Sequence, residues 1–248
     1  MHWVVQNNIS KEPVFDDCIK VFEKHNIPYS LHKVIPFVGE ILPDINPEGP
    51  VICLGSYSMR HVAKQKNWSP GVYDLGPITF VEQMKHWSDL LLNSDSVVCK
   101  FQDAVVDSLK FIRPIEDSKL FGGKLITPEE FAKWRHSVVD LKEDYGYRLM
   151  DTMIQVSNPK TIYSEYRYWI VRNRIAAKSM YRRGSKLISC RKFIDKRFDS
   201  FVNYVIAPFN WSPHEAYCLD VCDTPDGIKI VEINTINACG FMMLMSNL

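Results

Sequence analysis

At 248 residues the chain is long enough to bury a sizeable core, as one large domain or as two or three smaller ones. Apolar content of 46% and charged content of 24% are those of an ordinary globular protein, and a net charge of +1 excludes a chain that seeks polyanions as a whole. No apolar run approaches the roughly 18 residues of a membrane span, MHWVVQNNIS lacks the features of a signal peptide, and seven cysteines without regular spacing predict free thiols in a reducing, cytoplasmic setting.

HWVVQN predicts a strand, and Val14, Cys18, Val21 and Phe22 fall at helical spacing over about 13–25. A second strand lies around Tyr29–Val34, a third in PVICLG at 50–55, a helix from about 58 to 67 and another over roughly 80–92. This alternation predicts a small α/β layer with a mostly parallel sheet. The turn Gly55-Ser56-Tyr57-Ser58 after a strand either holds an anion or caps the following helix.

From about residue 93 the pattern changes. SVVCKF and LKFIRPI read as strands, EDSKLFGGKLIT as a flexible stretch, and MDTMIQVS at 150–157 as another strand. Thr127-Pro128-Glu129-Glu130 is a helix start, with a threonine cap, proline at the first helical position and glutamate three after the cap. YSEYRYWIVRNRIAAKSMY at 163–181 predicts a hairpin turning near Arg172-Asn173-Arg174, with Glu165, Arg167 and Trp169 on one face and Tyr166, Tyr168 and Ile170 on the other. Cations then accumulate over 172–197, including Lys178, Arg182, Arg183, Lys186, Arg191 and Lys192, and a helix is predicted from about Phe193 to Ile206.

The last hairpin, EAYCLDVCDTPDGIKIVEINTIN, flanks Pro225-Asp226-Gly227 with two alternating segments. Pairing Thr224 with Ile228 sets Asp220 opposite Glu232. Asn234 then shares their face, while Leu219, Val221, Val231 and Ile233 form an apolar face. Two carboxylates and an amide oxygen on one face are hard ligands suited to Mg²⁺ carrying nucleotide phosphates; the plain alternative is a solvated hairpin edge. Arg113 ends a strand just before a loop with Lys119, Gly122, Gly123 and Lys124, where glycines admit oxyanions to the backbone and lysines supply charge, although the spacing is not that of a P-loop. Glu165 and Arg167 form a pair in which one side chain holds the other for bidentate grip of a phosphate, or a simple surface ion pair. Cys218 and Cys222 are the close cysteine pair; zinc would need two more ligands, such as Cys190 or His214, and small packed thiols are the preferred reading.

This order of parts resembles the ATP-grasp superfamily, and within it a clade of small, often phage-encoded proteins marked by arginine and lysine nucleotide contacts. The segments that carry the resemblance are FIRPIEDSKLFGG (111–123), MIQVSNPKTIYSEYRYWIV (153–171), AAKSMY (176–181), CLDV (218–221) and VEIN (231–234). The resemblance implies an α/β (α+β) ATP-grasp fold, with a pre-ATP-grasp α/β domain over 1–92, a nucleotide-lid subdomain over 93–160 and a C-terminal subdomain with the metal hairpin over 161–248. It implies ATP and Mg²⁺ as cofactors. Arg113 and Lys119 would contact the ATP phosphates under the Gly122-Gly123 loop, and Gln155, Val156 and Ser157 would meet adenine, largely through backbone groups. Glu165 would sit near the sugar or orient Arg167, which would contact the transferred phosphate, with Lys178 lining the same cleft. Asp220, Glu232 and Asn234 would hold Mg²⁺. Arginine in place of the usual first lysine, and Asn173 where a glycine is common, are departures that leave the acceptor open.

The implied activity is an ADP-forming carboxylate–amine ligase that activates a carboxylate as an acyl phosphate. An amino acid, a peptide end or a modified nucleotide are all compatible substrates. Two alternatives stand beside it: an ATP-dependent phosphotransferase, and a non-catalytic protein that binds nucleic acid through the basic segment 172–197, where Tyr181 and Phe193 could stack on bases.

Overall fold

A computed structural model describes residues 1–9, 14–35, 38–116, 120–140, 148–190 and 195–239. Lys119, Arg191, Lys192, Phe193 and the apolar tail GFMMLMSNL lie outside the described residues. By internal contacts the chain forms two units. The first comprises Met1–Leu75, Ser164–Val221 and Glu232–Leu248; the second comprises Gly76–Tyr163 and Cys222–Val231. The boundaries follow contacts rather than chain order, so residues 76–92 group with the middle of the chain and the tip of the last hairpin joins them.

The first unit begins with the alternating elements expected. Strands β1 (His2–Gln6), β2 (Tyr29–Ile35), β3 (Glu40–Leu42), β4 (Val51–Leu54) and β5 (Pro70–Gly71) form a sheet in the order β3-β2-β1-β4-β5, parallel except for β3. Helix α1 (Val14–Lys24) buries Cys18 and Phe22 against Val5 and Leu54. Helix α2 (Met59–Gln65) buries Met59, Val62 and Ala63 with Val4, Val51 and Cys53. Neighbouring residues of one strand thus feed two opposite cores, which is why these strands read as continuous apolar runs.

The turn before α2 neither caps it nor leaves its amides open. Ser58 makes no side-chain cap bond; instead Gln6 Oε1 accepts from the Ser56 amide at 2.8 Å, and the Asn237 carbonyl accepts from the Gly55 amide at 3.0 Å. A Cβ on Gly55, at φ +158°, would lie 2.5 Å from the Gln6 Cβ, so close strand packing accounts for that glycine.

In the second unit α3 (Phe80–Trp87) ends at Ser88, whose φ of +43° breaks the helix earlier than its apolar pattern suggested. Strands β6 (Val97–Lys100), β7 (Lys110–Pro114), β8 (Lys124–Ile126) and β9 (Met153–Ser157) form an antiparallel sheet in the order β6-β9-β7-β8. Part of the stretch read as flexible is therefore strand β8. Helix α4 (Pro128–Asp140) covers one face, with Phe131 and Val138 packed on Ile112, Ile126, Ile154 and Val156. Its start is the capping box expected: Thr127 Oγ accepts from the Glu130 amide at 3.2 Å, and Glu130 Oε2 accepts from the Thr127 amide at 2.9 Å.

The second large sheet has the order β12-β11-β10-β13-β14, built from β10 (Ser164–Val171), β11 (Arg174–Arg183), β12 (Lys186–Cys190), β13 (Ala216–Thr224) and β14 (Gly227–Asn234). The turn between β10 and β11 places Arg172 and Asn173 at φ +48° and +56°, the left-handed pair that a two-residue hairpin loop requires. Helix α5 (Lys196–Val205) lies against one face, where Phe198 meets Tyr166 at 4.0 Å between ring centroids.

The alternation expected for the final hairpin does not hold on β13. Every residue from Ala216 to Cys222 is buried, because β13 lies between β10 and β14 and is covered on both faces. On β14 it is Ile230, on the strand parity of Glu232 and Asn234, that is fully buried; Val231 and Ile233 are only half-buried. Within the second unit, the Ile230 carbonyl accepts from the Leu92 amide at 2.8 Å, which ties down the hairpin tip. Among the described residues no helix is long and apolar enough to cross a membrane.

Thr127→Ala removes one half of the capping box and should lower unfolding free energy by about 1 kcal/mol. Urea titration checks this as a lower midpoint at unchanged slope, and an unchanged midpoint would show that the box contributes nothing.

Candidate active site

The face of the large sheet turned away from α5 concentrates buried charge. Asp220, in the middle of β13, has no solvent exposure. Arg167 on β10 donates Nε to Asp220 Oδ1 at 2.7 Å and Nη2 to Oδ2 at 2.6 Å, a bidentate pair. Arg167 Nη1 donates to the carbonyl of Cys239, and its guanidinium stands 5.5 Å from the Tyr181 ring centre. Asn234 Nδ2 reaches both acids, at 3.3 Å to Asp220 and 2.9 Å to Glu232. An amide N–H shared by two carboxylates does what a cation would do there, and this supports the expectation that the three side chains form one group.

Glu165 is engaged differently from the sequence expectation. It holds no bond to Arg167; its two oxygens accept from Tyr181 Oη at 2.5 Å and from Arg182 Nη1 at 2.8 Å. Tyr181 and Arg182 were not singled out for this role. The signal for Arg182 is its register opposite Glu165, but a bulge between Glu165 and Tyr166 shifts that register and hides it from simple counting.

Lys178 lies elsewhere. It pairs with Tyr168 in the β10–β11 ladder, on the α5 side of the sheet, whereas Arg167 pairs with Ser179 on the other side. Lys178 Nζ bonds Asp199 of α5 at 2.5 Å, and Tyr168 Oη donates to the same carboxylate at 2.9 Å. Side-chain alternation therefore separates it from the group it was expected to join.

Burial pushes the Asp220 carboxyl up; Arg167 pulls it down and Glu232 and Glu165 push it up again, with a net position of about 6. The guanidinium geometry is that of a good ion pair, but complete burial outweighs it. Burial, followed by the Asp220 and Glu165 charges, likewise drives the Tyr181 phenol upward.

In the second unit, Arg113 pairs with Gln155 and Phe111 with Ser157. These four side chains share the sheet face opposite the α4 core, to which Ile112, Ile154 and Val156 belong. Gly123 lies on that same face, since a Cβ there would come 2.7 Å from the Phe111 ring and 3.5 Å from Arg113 Cδ. Phe121 anchors the loop by packing edge-on to Trp134 at 5.0 Å, while a Cβ on Gly122 would meet nothing within 4 Å. The expected adenine strand needs correction in detail. β9 runs between β6 and β7, so the backbone groups of Gln155 and Val156 are used by the ladders, and the Val156 side chain is in the core. Only at Ser157 and beyond does β9 leave the double pairing.

A family model for an ATP-grasp domain, family 3 of the arginine–lysine clade, matches residues 29–247. The chain belongs to this ATP-grasp family. Its fold is similar to that of a RimK domain protein ATP-grasp from Sphaerobacter thermophilus, at a TM-score of 0.63 and 11% identity over 98% of this chain and 94% of that one. It is similar also to D-alanine–D-alanine ligase from Bacillus anthracis complexed with ATP, at 0.57 and 11% over 95% and 86%. A third likeness is to the ATP-grasp ligase PsnB complexed with precursor peptide PsnA2 and AMPPNP, at 0.51 and 12% over 97% and 89%. At these identities the likeness establishes the ATP-grasp fold. A search of curated protein sequences gives no match.

Among the described residues no three His, Cys, Asp or Glu side chains gather as a metal site. The donor set of this ATP-grasp chain is instead two carboxylates and one amide. A carboxylate carries about four lone-pair sites, so Asp220 can face Arg167 and still serve a hard cation.

Because the folded-state position of Asp220 lies above its ordinary value of 3.8, its contribution to stability is full below about 4 and fades as pH rises through about 6. The cost of Asp220→Asn should therefore shrink between about pH 4 and pH 7. The expected change is on the order of 1–3 kcal/mol, since each tenfold change in proton affinity is worth about 1.4 kcal/mol. Urea unfolding of both proteins across that range tests it; a pH-independent difference would contradict the assignment.

Proposed function

We propose that the chain is an ATP- and Mg²⁺-dependent ligase that activates a carboxylate as an acyl phosphate for attack by an amine or similar nucleophile. The observation that carries the reading is the Asp220–Glu232–Asn234 group, bound to the Arg167 guanidinium on a buried sheet face. The family membership and the likeness to two ligases support it. In this reading Asp220, Glu232 and Asn234 hold Mg²⁺, which neutralises charge on the terminal phosphates when bound.

Arg167 is positioned rather than loose: three of its bonds are committed to Asp220 and the Cys239 carbonyl, so its remaining N–H groups are held in a fixed direction for a phosphate oxygen. Glu165, clamped by Tyr181 and Arg182, serves the sugar instead of orienting Arg167. Arg113 serves the phosphates and Gly122-Gly123 let the loop backbone approach them. Ser157, where β9 leaves its double pairing, serves the adenine edge. Catalysis on such a site is chiefly positioning and charge neutralisation.

Two of the alternatives meet specific observations. In the segment 172–197, Arg172 pairs with Glu215, Lys178 with Asp199, Arg182 with Glu165 and Arg197 with Asp195. Much of its positive charge is thus neutralised by nearby acids, which weakens the nucleic-acid reading. Phosphotransfer to a hydroxyl uses the same nucleotide site and differs in the acceptor.

Saturating ATP with Mg²⁺, at about a hundred times its dissociation constant, should stabilise the protein by roughly 2.7 kcal/mol, or about 5–10 °C in the melt. Glu232→Ala should abolish the Mg²⁺-dependent part of that shift. The absence of a shift in the wild type at millimolar nucleotide would refute the nucleotide site. Incubation with ATP, pooled amino acids or peptides and hydroxylamine should then give a hydroxamate; ADP release with no hydroxamate would favour phosphotransfer.

A further inference from the structure

The pair of cysteines expected to be neighbours, Cys218 and Cys222, is not the pair the fold creates. Cys218 Sγ lies 2.9 Å from Cys239 Sγ, about 0.9 Å beyond a covalent S–S bond. Both residues are buried, in a cluster with Trp169, Ala177 and Ile236. Cys18 and Cys53 sit in two other cores, packed among apolar side chains.

Independent anchors hold the two sulfurs in place. Cys218 belongs to the central strand β13, two residues before the clamped Asp220. Cys239 follows a turn closed by the Ala238 amide on the Thr235 carbonyl at 3.2 Å. That turn is fastened by Asn237, which donates Nδ2 to the Cys53 carbonyl at 2.7 Å and accepts from the Tyr73 amide at 2.8 Å. The Cys239 carbonyl also accepts from Arg167. Bond formation therefore needs no strand to move, in contrast to cysteines that merely share a core.

We propose that Cys218 and Cys239 are a modification site, closing a reversible disulfide when the protein meets a peroxide. Cys239, at 8% exposure against 0% for Cys218, meets the oxidant first. Its sulfur attacks one peroxide oxygen, the O–O bond breaks, and the leaving oxygen takes protons to depart as water, leaving a sulfenic acid. The Cys218 sulfur then attacks the Cys239 sulfur and expels the hydroxyl as a second water. Two thiols and one hydrogen peroxide thus become one disulfide and two waters, and a dithiol reductant reverses the result. The bond joins the segment whose carbonyl holds Arg167 directly to the strand that carries Asp220.

The full chain, reduced and freed of reductant, is exposed to hydrogen peroxide, unfolded in an alkylating reagent, digested and mapped by mass spectrometry. The expected result is the loss of two alkylatable thiols per chain, a peptide linking 218 to 239, and recovery of both thiols after dithiothreitol. In Cys218→Ser the link should vanish and Cys239 should carry added oxygen. Wild-type protein in which both cysteines remain alkylatable after exposed methionines have been oxidised would overturn the proposal. So would a link from Cys239 to another cysteine. The readout needs no nucleotide, so its outcome is independent of the ligase reading.

Discussion

The large sheet is organised around one demand: a carboxylate entirely out of water must be surrounded by donors. Asp220 meets it through two bonds from Arg167 and one from Asn234. A buried ion pair of this kind is a weak source of net stability, since desolvation costs nearly as much as the attraction returns, but removing one partner strands the other. Each further contact follows from that arrangement. Arg167 needs a third acceptor and finds the Cys239 carbonyl; Glu165, close enough to raise Asp220, is itself held by Tyr181 and Arg182. Hydrogen bonds within the chain balance this face, and its two carboxylates still have lone pairs to offer a cation.

The opposite face shows the same chemistry put to a structural end. Lys178, Tyr168 and Asp199 join the sheet to α5 beside the packed rings of Tyr166 and Phe198. Charge alone therefore does not mark function in this sheet. Which side of β10 and β11 a residue occupies decides whether it joins the Asp220 group or the helix contact.

A second set of bonds ties the end of the last hairpin to the N-terminal sheet. Asn237 is buried and satisfies the backbone at Cys53, Gly71 and Tyr73, positions at the ends of β4 and β5 or just beyond. With the Asn237 carbonyl on the Gly55 amide, the strand that carries Glu232 and Asn234 is continued into the α/β sheet by hydrogen bonds. The turn at Gly55–Ser58, readable in isolation as an anion site, is used up in this junction.

Much of the fold was legible in the chain. Apolar runs and helical spacing located β1, β2, β4, α1 and α2, Thr127-Pro128 announced α4, and Asn173 marked the β10–β11 turn, because each depends on neighbours a few residues apart. The Asp220, Glu232 and Asn234 grouping was legible too, since strand alternation and one short turn suffice to bring them to a common face. Tertiary structure alone decided the rest. Strands β3, β5, β8 and β12 are short or polar and exist through their sheet partners. Burial of β13 on both faces erased its expected alternation, and a bulge moved Arg182 onto Glu165. The meeting of Cys218 with Cys239, and of Asn237 with Cys53, joins residues that no local period relates. Local sequence sets which backbone shape is cheap; which distant groups share a dry interior is set only when the sheets close.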